Sequence, residues 1–279
     1  MCGVIGDPIE HSLSPFMHNA AFAHLKLDFV FLAFRVKAAG LEDAVRGVLG
    51  LGIHGLNVTM PHKSAVLKYV DEVDSTVKFL GAANTILNKN GKLIGYNTDG
   101  VGALKALTEN GVSLNRKKVL LLGAGGAAKA IAFSLAKEVG ELVILNRSSE
   151  KAKTLAESLG MKFDRKIFVG SLSSSSIQKN LADSDVLINA TSVGMAPKTG
   201  ETLVQRRWLK PDLCVMDIVY NPLETKLAKD AKAVGARVVS GVEMLLHQGA
   251  VSFEIWTSRR APVEVMRKAM LNKFSSEDA

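Results

Sequence analysis

The sequence predicts an α/β protein of two domains, each built on a mainly parallel sheet. Three observations carry this: short β-rich runs alternate with helical patterns along most of the chain, the alternation restarts after Gly111-Val112, and a glycine-rich turn joins strand to helix just beyond the restart. At 279 residues the chain is long enough for two cores, because single cores stop growing near roughly 250–300 residues. Hydrophobic residues at 47% and charged residues at 22% are the balance of a packed protein, which excludes a disordered or fibrous chain.

In the first hundred residues, Cys2 to Gly6 reads as a strand and a helix opens at Pro15. Phe29 to Phe34 reads as a second strand, and Leu41, Ala44, Val45, Val48 and Leu49 fall at helical spacing. Gly55 to Thr59 supplies another strand. Thr85 to Leu87 and Lys92 to Tyr96 flank Asn90-Gly91, a dipeptide of tight hairpins, so an antiparallel edge is expected on this sheet.

The second series starts with a strand at Lys118 to Leu122 and a helix at Ala127 to Val139. Strands at 142–145, 186–190, 214–218 and 237–240 then alternate with helical segments, as a doubly wound sheet requires, and the crossover rule makes them parallel. From Glu243 to Met270 the pattern is helical, too late for another strand and placed to pack back on the first domain. The expected domains are therefore 1–101 completed by 244–279, and 102–243. Ser173 to Ser176 reads as a loop, and the polar NKFSSEDA end as a frayed tail.

The formal charge is +8, but the short clusters Arg116 to Lys118, Arg206-Arg207 and Arg259-Arg260 have little aromatic interleaving, which argues against nucleic acid. The start, MCGVIGDPIEHSLSP, lacks a basic region followed by a long apolar run, and no later run approaches bilayer length. Cys2 and Cys214 are the only cysteines and have no metal-site spacing, so neither a disulfide framework nor a metal is expected. A cytoplasmic protein with no membrane partner follows.

Gly123, Gly125 and Ala128 form G-x-G-x-x-A between a strand and a helix. The first glycine permits the turn, the second lets backbone approach a pyrophosphate, and the alanine lets helix and strand pack closely. Gly123, Ala124, Gly125, Gly126 and Ala127 form the candidate phosphate cradle; the bland alternative is a glycine-rich turn that binds nothing. The next strand ends in Asn146-Arg147-Ser148, where NAD-preferring folds carry an acidic residue for the ribose. A neutral and basic pair suits a 2′-phosphate, and Lys151, four residues on, is expected on the same face as Arg147. This domain is thus expected to be a Rossmann domain holding NADP, and the basic net charge would help collect such anions.

Polar clusters punctuate the first domain: Ser12-Leu13-Ser14-Pro15, Asn57-Val58-Thr59-Met60-Pro61-His62-Lys63, Gly81-Ala82-Ala83-Asn84-Thr85 and Asn97-Thr98-Asp99-Gly100. Later come Asn189 to Met195, Asp217 to Pro222 and Gly241 to Gly249. This set, in this order over nearly the whole chain, resembles the shikimate dehydrogenase family. The resemblance implies reversible NADPH-dependent reduction of 3-dehydroshikimate to shikimate, a step toward chorismate and the aromatic amino acids, with the N-terminal domain taking the small-molecule substrate. It implies that Ser12 and Ser14 hold the substrate carboxylate, that Thr59, Asn84 and Gln248 meet its hydroxyls, and that Tyr220 closes the pocket. Asn57, Lys63 and Asp99 join the substrate contacts, and Thr191, Ser192, Ile218 and Gly241 join the cofactor contacts. Viewed singly, Ser14 before Pro15 reads as a helix cap, and an isolated Asn or Thr as turn chemistry.

The resemblance makes Lys63 and Asp99 the catalytic pair. Lys63 follows Pro61 and is expected in the first turn of a helix, where the macrodipole disfavours a positive charge and so favours giving up a proton. Hydride delivery to a ketone creates an alkoxide that needs one, which makes Lys63 the general acid and, in reverse, the base, with Asp99 orienting it. Singly, Lys63 reads as a solvated amine and Asp99 as an Asx-turn residue. Three alternatives stay open: a quinate/shikimate dehydrogenase using NAD or both cofactors, a methylene-tetrahydrofolate dehydrogenase of similar plan, and a non-catalytic NADP sensor. Monomer and homodimer are equally open.

Overall fold

The computed structural model describes residues 1–277. The chain divides into two compact units, one of Met1–Asp99 with the segment from Leu246 onward, the other of Gly100–Leu245.

The first unit holds β1 (Cys2–Gly6), α1 (Ser14–His24), β2 (Phe31–Arg35), α2 (Leu41–Gly50), β3 (Gly55–Val58), β4 (Glu72–Val73), α3 (Ser75–Leu80), β5 (Thr85–Lys89) and β6 (Lys92–Tyr96). Its six-stranded sheet runs β2-β1-β3-β5-β6-β4. β1 is buried throughout, as its uninterrupted apolar run requires of a central parallel strand. On α2 the inward stripe is Leu41, Val45 and Val48, which packs with Ile5, Leu56, Val66 and Ile86 into one core. At the β5–β6 turn Asn90 and Gly91 both have positive φ (54° and 83°), the backbone a tight hairpin needs.

Two expectations about this unit need correcting. The antiparallel element is internal: β5 runs against both β3 and β6, and β4, pairing parallel with β6, forms the edge. A two-residue strand carries no periodicity from which to read it. The C-terminal segment contributes the later part of α9 (Gly241–Thr257) and all of α10 (Val263–Glu277), which packs against α1. The frayed tail expected from residue 272 is thus helical as far as Glu277, and the final two residues lie outside the described ones.

The second unit opens with α4, which begins at the domain junction (Asp99–Glu109), followed by β7 (Lys118–Leu122), α5 (Gly126–Leu135), β8 (Glu141–Asn146), α6 (Ser149–Phe163), β9 (Phe168–Ser171) and α7 (Ser174–Leu181). It then runs through β10 (Val186–Asn189), β11 (Cys214–Asp217), α8 (Lys226–Ala233) and β12 (Arg237–Val239). The sheet order is β12-β11-β10-β7-β8-β9, parallel throughout. The order reverses between β7 and β10, the switch point of a doubly wound nucleotide-binding sheet. Its core includes Leu120, Leu122, Val143, Leu187 and Val215. β9 escaped the sequence reading because Phe168 and Val169 are both exposed at the edge, with no alternating pattern. The serine run is not a loop: Ser173 accepts from the Ser176 N–H and caps α7, so the following serines form a first helical turn.

Close packing in the first unit makes one glycine decisive. A Cβ on Gly55 of β3 would lie 2.2 Å from Nε1 of Trp256, and that indole is tethered by donating to the carbonyl of Ile86 at 2.9 Å. Gly55→Ala is expected to cost about 1–3 kcal/mol and to lower Tm by roughly 3–10 °C, measured by thermal unfolding. An unchanged Tm would show that the indole can move aside freely.

Candidate active site

In the first unit, three chain segments bring their polar ends together: the loop after β3, the turn before β5 and the loop after β6. Lys63 Nζ donates to Asp99 Oδ2 at 2.6 Å, with the side chains 25% and 8% exposed respectively. Asp99's other oxygen accepts from Asn84 Nδ2 at 2.8 Å, so the carboxylate is held from both sides. The Asx-turn reading belongs instead to Asn97, whose Oδ1 accepts from the Asp99 N–H at 3.1 Å and leaves the Asp99 carboxylate to Lys63. The backbone of Lys63 is pinned as well, its carbonyl accepting from Ala83 N at 2.8 Å.

Lys63 does not sit in the first turn of an α-helix. It precedes a five-residue 3-10 turn, Ala65–Tyr69, with Ser64 at the N-cap position and no side-chain cap, so the macrodipole argument has no α-helix to act through; Lys63 is instead paired with Asp99. His62 is spent on structure, donating to the Val36 carbonyl at 2.6 Å.

Asn84 is the centre of this cluster. Besides Asp99, its amide reaches Thr98 Oγ1 at 2.9 Å and Gln248 Oε1 at 3.3 Å, while its Oδ1 accepts from Thr98 N at 2.8 Å. Asn57 lies behind it, fully buried, with Nδ2 donating to the Asn84 carbonyl, Thr85 Oγ1 and Ser252 Oγ at 3.1–3.2 Å. Thr59 is half-buried at the end of β3. Ser12 Oγ accepts from Ser14 N at 3.3 Å. Ser14 is not the helix cap: Leu13 occupies that position, no side chain caps α1, and Ser14 is its first helical residue, ahead of Pro15. Tyr220 belongs to the second unit. The sequence reading missed Thr85, Asn97, Thr98 and Ser252 as supports. Asn97 and Thr98 stood inside a recognised cluster, and Ser252 lies one helical turn beyond Gln248, the available signal.

In the second unit the candidate cofactor residues lie at or beyond the C-terminal ends of the parallel strands. Gly123 has φ 113°, and a Cβ there would meet the Ala190 carbonyl oxygen at 2.8 Å, so the turn after β7 demands glycine. Gly125 and Gly126 are different: nothing lies within 4 Å of either missing Cβ, leaving an open cradle beside the N-terminus of the ten-residue α5. Ala124 lies buried in the turn and Ala127 half-buried in the first turn of α5. Buried Ala128 lets α5 lie on the sheet. After β8, Asn146 Nδ2 donates to the Ser148 carbonyl at 3.0 Å, and Ser148 caps α6 by accepting from Lys151 N at 3.4 Å. Arg147 is exposed and precedes that cap, so it does not share a helical face with Lys151; both flank the N-terminus of α6 instead.

A buried aspartate fixes the remaining loops. Asp217, at the end of β11, accepts from Asn189 Nδ2 at 2.9 Å, Thr225 Oγ1 at 2.6 Å and Val219 N at 3.2 Å. Burial raises its pKa above the ordinary aspartate value, against the pull of these three donors. Asn189 in turn accepts from Thr191 Oγ1 at 2.7 Å, shaping the loop that carries Thr191 and Ser192. Gly241 closes on Ile218, whose carbonyl oxygen is 2.5 Å from where a Cβ would sit. Asp217→Ala would strand three buried donors and is expected to destabilise the protein by at least about 2 kcal/mol. Urea denaturation checks this, and an unchanged midpoint would show that the loops hold without the carboxylate.

Among the described residues no helix is long and apolar enough to cross a membrane. Three family models match the chain: shikimate dehydrogenase substrate binding domain over residues 4–86, shikimate / quinate 5-dehydrogenase over 105–220, and shikimate 5′-dehydrogenase C-terminal domain over 241–271. The NADP(+) shikimate dehydrogenase of Methanopyrus kandleri is 50% identical over 272 residues, 96% of this chain and 94% of that protein. A crystal structure of a shikimate dehydrogenase in complex with NADP+ superposes with a TM-score of 0.92 at 45% identity, covering 98% of this chain and 94% of that one. The Thermus thermophilus shikimate 5-dehydrogenase, in complex with NADP(H) and shikimate, superposes at 0.88 with 34% identity, covering 97% and 98%.

Proposed function

Because the chain belongs to the shikimate dehydrogenase family, we propose that it catalyses the reversible NADPH-dependent reduction of 3-dehydroshikimate to shikimate. The observation that carries the reading is the 2.6 Å contact of Lys63 with Asp99, at the rim of a buried polar network of short amides and hydroxyls. Such groups recognise a small polyol, because each donates and accepts at fixed geometry.

In this reading the second unit holds NADP. Gly123 to Ala127 receive the pyrophosphate: the side-chain-free space over Gly125 and Gly126 admits a phosphate against backbone N–H groups at the start of α5, where the helix dipole favours an anion. Arg147 and Lys151 meet the 2′-phosphate, with Asn146 and Ser148 shaping their turn. Thr191, Ser192, Ile218 and Gly241 line the same ligand, on loops held by Asp217. When bound, the reduced nicotinamide supplies the hydride.

The first unit takes the substrate. Ser12 and Ser14 bind its carboxylate at the start of α1, where backbone N–H groups favour a negative charge. Thr59, Asn84 and Gln248 bind its hydroxyls. Asn57, wholly enclosed, supports Asn84 from behind. Tyr220 joins the substrate contacts on the family resemblance alone. As the ketone oxygen gains negative charge, Lys63 delivers a proton to it; in the reverse direction the neutral amine takes the proton from the alcohol. Asp99 aims the amine and stabilises its cationic form. The two buried free cysteines suit a cytoplasmic enzyme, acting as monomer or homodimer.

Lys63→Ala is expected to lower kcat by about 10²–10⁴-fold with a much smaller change in shikimate Kd, since the proton is needed only as the alkoxide develops. Steady-state kinetics with a separate binding titration checks this. Near-normal kcat with collapsed affinity would make Lys63 a binding residue and send the search for the proton donor elsewhere. Asp99→Asn should resemble it, and the double variant should be far less impaired than the product of the two losses.

Arg147→Asp should erase or reverse a preference for NADP over NAD, because the unmodified pair makes charge-assisted hydrogen bonds only to a 2′-phosphate. Equal kcat/KM for the two cofactors in the unmodified enzyme would overturn the assignment of Arg147 and Lys151.

A further inference from the structure

His18, on α1, is completely buried in the first unit, and the mechanism above gives it no task. Aromatic rings wall it in. It stacks on Phe31 with centroids 4.4 Å apart, and Trp256, Phe22 and Phe253 lie at 5.3, 6.2 and 6.4 Å. Burial among these rings lowers the imidazole pKa to about 3, so the ring is neutral and carries a single N–H. None of the four surrounding rings offers that N–H an acceptor of ordinary strength, and a buried donor left unmade is costly.

Both ring nitrogens of His18 and Oδ1 of Asn57 are buried with no hydrogen-bond partner, and Asn57 is the polar side chain beside the ring. α9 approaches α1 closely at this point: a Cβ on Gly249 would lie 2.2 Å from Met17 Cε and 3.5 Å from His18 Nε2. The absence of that atom also lets Gln248 and Ser252, on either side of Gly249, reach the polar cluster.

We propose that His18 is a positioning residue for the substrate site: its ring N–H donates to Asn57 Oδ1 and fixes which way that amide points. An unanchored amide could rotate by half a turn. Its oxygen would then face the Asn84 carbonyl that Nδ2 now contacts at 3.2 Å, acceptor against acceptor. With His18 in place, Asn57 can donate only toward Asn84, Thr85 and Ser252, and Asn84 is the residue that holds Asp99 and Gln248. The chain of contacts runs from an aromatic core to the catalytic carboxylate without a charged group between them. The inference rests on the assignment of Asn84, Asp99 and Gln248 to the substrate.

His18→Phe keeps the stacking surface and deletes the N–H. It should fold with Tm lowered by a few degrees for the unpaired Asn57 oxygen, lose about tenfold or more in kcat/KM for shikimate, roughly the worth of one buried hydrogen bond, and keep its KM for NADP. His18→Gln, which restores a donor, should recover part of the loss. Combining His18→Phe with Asn57→Ala should do no more harm than the worse single change. Normal kinetics in His18→Phe, equal losses toward shikimate and NADP, or strictly multiplicative effects in the double variant would each overturn the proposal. Should both His18 variants fail to fold, NMR of the unmodified protein decides: a slowly exchanging His18 ring N–H that shifts in Asn57→Ala supports the contact, and its absence overturns it. Lack of shikimate turnover by the unmodified protein would instead sink the functional reading, while the NMR signal would still report on His18 and Asn57.

Discussion

Asn84 stands where three chain segments meet, and its side chain is 3% exposed or less along with its neighbours Thr85 and Thr98. Away from water, a half-completed set of polar contacts is worse than an apolar core, because each unpaired group has lost its hydration and gained nothing. The amide of Asn84 therefore tolerates one arrangement of Thr98, Asp99 and Gln248, the one in which its two hydrogens and its oxygen are all used. That constraint reaches Lys63, since a carboxylate already held by Asn84 on one oxygen presents the other to the amine. In the proposed reaction, a proton donor aligned before substrate arrives is the part of catalysis that folding can supply in advance.

The second unit reaches a comparable result with backbone. Gly123 and Gly241 are glycine because the protein's own carbonyl groups crowd them, whereas Gly125 and Gly126 border space that no protein atom fills. The first pair lets loops pass close together. The second pair leaves N–H groups uncovered at a helix start, which is what an anion requires. Asp217 ties the ends of β10 and β11 into this arrangement, and the strength of that tie comes from burial, the same burial that raises its pKa.

The two candidate sites also differ in how they hold charge. In the first, one cation and one anion meet over a neutral polar network. In the second, Arg147 and Lys151 stand exposed at the N-terminus of α6, where the dipole opposes them, an arrangement that favours a bound anion nearby.

Much of this was legible in the sequence. Alternating β-rich and helical runs determined the α/β class, the G-x-G-x-x-A turn located the switch region of the second sheet, and Asn90-Gly91 determined a hairpin, because each signal is local and depends on backbone preferences of a few adjacent residues. The polar clusters marked the candidate site through the family they resemble, yet residues such as Asn57 and Ser14 could be read as turn or cap just as well. Only the tertiary structure decided that Leu13 takes the cap position, that Asn97 makes the turn and frees Asp99, and that β5 runs antiparallel inside the sheet with the two-residue β4 at its edge. It alone brought Lys63 to Asp99 across 36 positions, and Asn57 to Ser252 across 195. Spacing along a chain carries no record of such distances, because the meeting of these groups is set by how helices and sheet pack, and packing is a property of the whole unit.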